Sequence, residues 1–182
     1  MNASLPLVAP VEEVAERVLS ELSRIGADTV FTVTGGPLMP LLKACKRQRR
    51  PRVVICRHET AAAVMAASYF HDCGVPALLA LTSGPGVANA ANGVIYALRE
   101  EAAMFIVSAR PASNKVGRGA VQDFDSARFL APITKRSEQL LEPSQLTFLV
   151  DELLAEALAP KPGPVNLTIC ADQWLCRVGG CS

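Results

Sequence analysis

Val53-Val54-Ile55-Cys56-Arg57-His58-Glu59-Thr60-Ala61-Ala62-Ala63 changes character halfway along. Its first four residues are apolar, mostly β-branched, and preceded by Pro51, which is the pattern of a short buried strand. From Thr60 to Phe70 the residues are small helix formers, so the spacing predicts a helix. Glu59 therefore stands where a strand ends and a helix begins. In open α/β sheets that junction is where ligands bind, and a carboxylate there interacts favourably with the helix dipole. Taken alone, Glu59 is equally well a first-turn helix acid.

Two neighbouring stretches repeat the arrangement. Ala77-Leu78-Leu79-Ala80-Leu81 is a second buried-strand pattern and runs into Thr82-Ser83-Gly84-Pro85-Gly86. Phe31-Thr32-Val33-Thr34 runs into Gly35-Gly36-Pro37. Such turns let the backbone approach a ligand without an intervening Cβ. Three strand ends then carry unusual chemistry on one edge of a sheet.

The remaining chain alternates helix and strand. Val11 to Ile25 carries one apolar stripe and stops at Gly26. A strand is expected at Thr29–Val33 and a short helix from Pro37 through Cys45. The run from Lys46 to Arg52 reads as a solvated helix end whose cations suit the C-terminal dipole. No aromatic residues interleave it, as a nucleic-acid groove would require. A helix is expected over Val87–Leu98, in which Asn89 could face a ligand or merely pack. A strand is expected over Ala103–Val107, and an irregular loop from Ser108 to Arg118 that Gln122-Asp123-Phe124-Asp125 closes. Thr134-Lys135 reads as a short strand, Pro143 to Leu158 as the last helix, and Pro164–Ile169 as the last strand. Residues 1–170 read as one domain and 171–182 as a tail, with few core features from Trp174 onward. Apolar strands alternating with helices predict a three-layer α/β/α fold around a mainly parallel sheet of about six strands.

Composition excludes several classes. The chain has 182 residues, half of them hydrophobic, and a net charge of +1. That balance speaks against a general nucleic-acid or membrane-surface protein, and no apolar run reaches the length of a membrane span. Met1-Asn2-Ala3-Ser4 lacks the basic start and apolar block of a signal peptide, so a cytoplasmic location is expected. Six cysteines form no C-x-x-C pair, and only His58 and His71 could join them, so no metal site is expected within the chain. Cys56 and Cys170 read as small core residues.

Val53-to-Ala61, Thr82-to-Asn89 and Gly119-to-Asp125, taken together, resemble the pyrimidine-binding domain of thiamine-diphosphate enzymes, in particular the acetolactate synthase and benzoylformate decarboxylase group. The likeness rests on R-H-E before a small-residue helix, T-S-G-P-G-x-x-N, and Q-D-x-D, in that order, and spans about Val11 to Ile169. The resemblance implies that Glu59 meets the far ring nitrogen of the aminopyrimidine and shares a proton with it, so that the cofactor serves as its own base. It places Gly35, Gly36, Ser83, Gly84, Pro85, Gly86 and Asn89 around the cofactor, and Gln122 and His58 toward substrate. The chain departs from the relatives in having Gly35-Gly36-Pro37 where they usually carry Pro-Gly. It also lacks the Asp and Pro that usually follow the position of Tyr96.

The relatives bind the diphosphate and its Mg2+ with a second domain carrying G-D-G, and no G-D-G occurs here. The chain therefore reads as half an active site, either a natural small subunit or a domain excised from a longer protein. Its partner would be a second subunit with the diphosphate-binding domain, in a hetero-oligomer of two copies each, with a homodimer as the alternative for the chain alone. The implied activity is decarboxylation of a 2-keto acid with transfer of the acyl carbanion to a second carbonyl. Two alternatives stay open: the alpha subunit of a simple two-subunit decarboxylase of the sulfopyruvate or phosphonopyruvate type, and a non-catalytic binding module.

Overall fold

The computed structural model describes residues 12–178. Six parallel strands form one sheet: β1 (Thr29–Thr32), β2 (Arg52–Ile55), β3 (Ala77–Leu81), β4 (Met104–Arg110), β5 (Arg136–Gln139) and β6 (Pro164–Cys170), in the order β2-β1-β3-β4-β6-β5. Six helices connect them: α1 (Val14–Arg24), α2 (Met39–Gln48), α3 (Glu59–Cys73), α4 (Pro85–Arg99), α5 (Ser126–Leu130) and α6 (Leu146–Leu158). The expected three-layer fold is the observed one.

The sheet is buried on both faces because successive strand residues alternate between two cores. Leu78, Phe105, Val107, Val165 and Leu167 pack with α1, α2 and α6. Leu79, Leu81, Met104 and Ile106 pack with α3, α4 and α5. The α3–α4 side is built from small residues, among them Ala62, Ala63, Ala66, Ala90 and Ala97, all fully buried. A Cβ on Gly93 would lie 2.5 Å from the Ala63 Cβ and 2.8 Å from the Thr60 carbonyl oxygen. The two helices therefore touch backbone to backbone, and their N-terminal turns are brought together at the sheet edge.

Several elements differ from expectation. The first helix begins at Val14; the expected start, Val11, lies outside the described residues. The loop expected from Ser108 begins only after Arg110, because Ser108 pairs with Leu81 and Thr168 in register and its hydroxyl bonds Thr168 Oγ1 at 2.8 Å. The fifth strand is Arg136–Gln139, two residues beyond Thr134-Lys135, and its polar sequence gave no apolar signal. Such a charged edge resists pairing with another sheet. Helix α5 follows the loop that Gln122–Asp125 closes; it is five residues long, capped by the Asp125 carboxylate on the Arg128 N–H at 3.0 Å. Cys56 follows β2 and is half-buried, whereas Cys170 is buried.

Trp174 overturns the reading of its segment as poor in core features. It is fully buried, and the turn that carries it packs against α1, α2 and β6. The Val14 N–H donates to the Cys176 carbonyl at 2.9 Å, and Val178 N–H to Glu12 at 3.0 Å. The start and end of the described chain are thus stitched together over the Trp174 indole.

Candidate functional site

A parallel sheet puts all strand ends of one polarity on one edge. Strand order reverses between β1, whose next strand lies to one side, and β3, whose successors lie to the other. At such a reversal the following loops diverge and leave a crevice. The loops here are Val33–Pro37 and Thr82–Gly84, with Glu59 arriving from β2 nearby.

Glu59 is the first residue of α3 and only 8% exposed. Its Oε2 accepts a hydrogen bond from Asn89 Nδ2 at 3.1 Å. Asn89 is itself fixed, because the Thr60 hydroxyl donates to its carbonyl at 2.5 Å. The other carboxylate oxygen, Oε1, faces Gly86: a Cβ there would stand 3.4 Å from it. One oxygen is thus held by Asn89, and the other lies beside Gly86 and accepts no hydrogen bond among the described residues. His58 caps α3, its Nδ1 accepting the Thr60 N–H at 3.2 Å, which leaves the ring exposed and its outer nitrogen to solvent.

The glycines have separate reasons. A Cβ on Gly35 would come within 2.4 Å of the Thr82 hydroxyl, and one on Gly86 within 2.7 Å of the Thr82 methyl. Thr82 is wedged between the two, so both are required by packing. Gly36 meets nothing: a Cβ there would enter open space, and its backbone is accessible. Gly84 has φ 67°, a left-handed value, and caps the start of α4 before Pro85. Ser83 is fully buried and donates to the Gln122 carbonyl at 2.5 Å, so its hydroxyl ties the 117–123 loop to the crevice.

Gln122 is half-buried, and its amide group makes no hydrogen bond among the described residues. With Pro37, Pro111, Ala112, Lys115 and Ala171 it lines an open depression of about 390 Å³ past the ends of β1, β4 and β6. The structure thus joins Glu59, Asn89 and Gly86 directly, and links Ser83, Gly84 and Gln122 beside them.

Sequence reasoning passed over Thr82 as a side chain. Its hydroxyl is buried without a hydrogen bond among the described residues, and it opens the T-S-G-P-G motif, where it could have been found. It also passed over the clamp that shapes the loop. Asp123 meets Arg110 at 3.5 Å and accepts the Gly117 N–H at 2.5 Å, while Arg110 donates to Gln139 at 2.8 Å. Their contact across the sheet edge left no spacing signal. Among the described residues no group of three or more His, Cys, Asp or Glu is placed to hold a metal ion. No helix among them is long and apolar enough to cross a membrane.

Residues 12–129 match the family described as thiamine pyrophosphate enzyme, N-terminal TPP binding domain. The chain belongs to this family. It is 28% identical over 158 residues to an acetolactate synthase large subunit of Lactococcus lactis, covering 87% of this chain and 28% of the relative. It is 30% identical over 146 residues to the acetolactate synthase large subunit IlvG of Mycobacterium tuberculosis, 80% of this chain and 26% of the relative. It is also 32% identical over 157 residues to 2-hydroxyacyl-CoA lyase 2 of Danio rerio, 86% of this chain and 25% of the relative. The chain spans about a quarter of the length of these curated relatives.

Proposed function

We propose that this chain is the pyrimidine side of a thiamine-diphosphate enzyme acting on a 2-keto acid, with acetolactate synthase-like carboligation as its reaction. When bound, the cofactor supplies the electron sink for loss of carbon dioxide. Glu59 holds a proton at the far nitrogen of the aminopyrimidine through Oε1, the oxygen that faces Gly86. Asn89 fixes the carboxyl by donating to Oε2, so that the proton is exchanged at one oxygen only. Gly36, beside which no other atom stands, lets the ring approach backbone, and the buried Thr82 hydroxyl is a further polar group at the edge. Gln122 and the depression beside it receive the keto acid. The diphosphate and Mg2+ are held by a G-D-G domain on a partner chain.

The observation that supports this reading is the buried carboxyl with one oxygen tied by Asn89 and the other facing a position without a side chain. A non-catalytic binding module would have no use for a buried carboxyl with only one oxygen hydrogen-bonded, since burying a polar atom without a partner costs stability. The test is hydrogen–deuterium exchange at C2 of the bound cofactor, in the presence of Mg2+ and the partner domain. Glu59→Gln preserves volume and removes proton sharing. It is expected to slow exchange about a hundredfold or more, in the range of general acid–base contributions. Unchanged exchange would reject the assignment.

A further inference from the structure

We infer that the open edge of β2 is a docking site for an extended, acidic segment of another polypeptide, which adds to the sheet as a further strand. The site is separate from the Glu59 crevice and does not rest on the cofactor reading.

The sheet ends differently at its two edges. At β5 the edge strand is polar, and Arg136 pairs with Glu138 on its own strand and with Glu152 of α6. At β2 the edge strand is Arg52-Val53-Val54-Ile55, which among the described residues has a strand, β1, on one side only. The Arg52 N–H donates to the Asp28 carbonyl and the Cys56 N–H to the Thr32 carbonyl, each at 2.7 Å. Val53 and Ile55 are out of phase with these two, so their N–H and C=O groups point away from β1, along the open edge. Their side chains, with Leu42 and Pro51, line an open groove of about 410 Å³ between β2 and α2. Ile55 is 57% exposed there. Unpaired backbone beside an apolar groove suits recognition by strand addition: main-chain bonds hold the segment, and alternate side chains enter the groove.

The rim selects the charge of the occupant. Lys46 and Arg49 line the groove, and Arg50 and Arg52 stand on either side of Pro51, all four exposed. None of the four forms an ion pair among the described residues, whereas Arg47 is taken up by Glu13 and Glu16 at 3.1 and 2.9 Å. Arg50 acts on Asp28 from a longer range, but that carboxylate is already held by the Tyr69 and Thr29 hydroxyls. The helix dipole accounts for Lys46 and Arg47, in the last turn of α2. Arg49, Arg50 and Arg52 lie past the end of that helix and have no such role. A second copy paired β2 to β2 would set like charges against each other. Met1–Val11 and Gly179–Ser182 contain no Asp or Glu, so the complementary charge comes from another chain. A nucleic acid would leave the apolar groove and the outward N–H groups unused.

The probe is the acetylated and amidated peptide EDVIVDE, titrated into the full chain and followed by amide NMR. EDPPPDE has the same charge and lacks the three central N–H groups; KRVIVRK has the opposite charge. EDVIVDE is expected to bind at least about tenfold more tightly than either control, the worth of two backbone hydrogen bonds, and to slow hydrogen exchange at the Val53 and Ile55 amides. Its binding should weaken with added salt. It should fall roughly tenfold when Lys46→Glu and Arg49→Glu are combined, with circular dichroism unchanged, and persist when Lys46→Arg and Arg49→Lys are combined. Equal binding of EDPPPDE, binding that leaves the Val53 and Ile55 amides unprotected, or no binding of EDVIVDE at about 1 mM would overturn the inference. Protection of those amides by self-association of the chain would assign the edge to a second copy and overturn it too. So would their protection by vesicles of phosphatidylcholine and phosphatidylserine where the peptide gives none, which would assign the face to a lipid surface.

Discussion

At the scale of single residues, the site depends on how one carboxyl is presented. Free in solution, the two oxygens of a carboxylate are equivalent. In this protein Asn89 makes Glu59 Oε2 an acceptor of a fixed amide hydrogen and leaves Oε1 toward Gly86. Removing that amide frees the carboxyl to rotate; replacing it with a second carboxylate adds repulsion at about the same distance. Asn89→Ala is therefore expected to slow C2 exchange of the bound cofactor about tenfold, the lower part of what a hydrogen bond to a charged group is worth. Asn89→Asp should slow it further, with far-ultraviolet circular dichroism unchanged in both. Equal exchange rates in the three proteins would show that Asn89 packs without orienting Glu59. Burial also separates the reactive from the inert side chains. The Cys45 thiol, 2% exposed under α2, is pushed up to about 11 by burial and is a packing residue at neutral pH.

At the scale of elements, the site exists because α3 and α4 pack without intervening side chains. Gly93 is the contact point, and Glu59 and Asn89 lie in the first turns of the two helices it brings together. Gly93→Ala must push Ala63 and the Thr60 carbonyl aside, and overpacking of this kind costs about 1–3 kcal/mol. Urea denaturation should show that loss, and C2 exchange should slow as well, since the shift separates Asn89 from Glu59. A variant as stable as the parent would show that the helices can move apart freely. The same elements explain what the sequence made legible. Apolar strands and Gly-rich turns carry the signal in their own residues, so β3 at Ala77–Leu81, running into the Thr82–Gly86 turn, is the strand its sequence predicts. The polar strand β5, the short helix α5 and the burial of Trp174 depend on partners distant in the chain. Arg136-Ser137-Glu138-Gln139 is a strand because β6 lies beside it. Trp174 is core because its turn is folded back onto α1, α2 and β6. In the site, Glu59, Ser83 and Gln122 stood in motifs, whereas the Arg110–Asp123 clamp joins a strand to a loop and shows only in the fold.

At the scale of the whole molecule, the crevice offers one carboxyl and glycine-lined backbone, and little for a diphosphate. Most of the cofactor's charge lies in that diphosphate, and its Mg2+ requires oxygen ligands in near-octahedral geometry. Among the described residues no acidic cluster provides them. Binding through the aromatic ring alone would have to offset the entropy of immobilising the ligand, of order 4–15 kcal/mol, with one carboxyl and some backbone contact. The exposed apolar side chains at the same edge are consistent with a surface that another domain covers: Val121 projects fully from the 117–123 loop, and Met39 follows the Gly35–Pro37 turn with 43% of its surface exposed. The proposed arrangement therefore predicts a large difference between the chain by itself and the chain with a G-D-G domain. Calorimetry of the full chain alone with thiamine diphosphate and Mg2+ should show affinity no better than about 1 mM, close to −4 kcal/mol, and no dependence on the metal. With the partner domain present, binding should become metal-dependent and at least about a hundredfold tighter, and Glu59→Gln should reduce C2 exchange in that complex without abolishing its assembly. Tight, metal-dependent binding by the chain alone would place the diphosphate site within this polypeptide and remove the need for a partner.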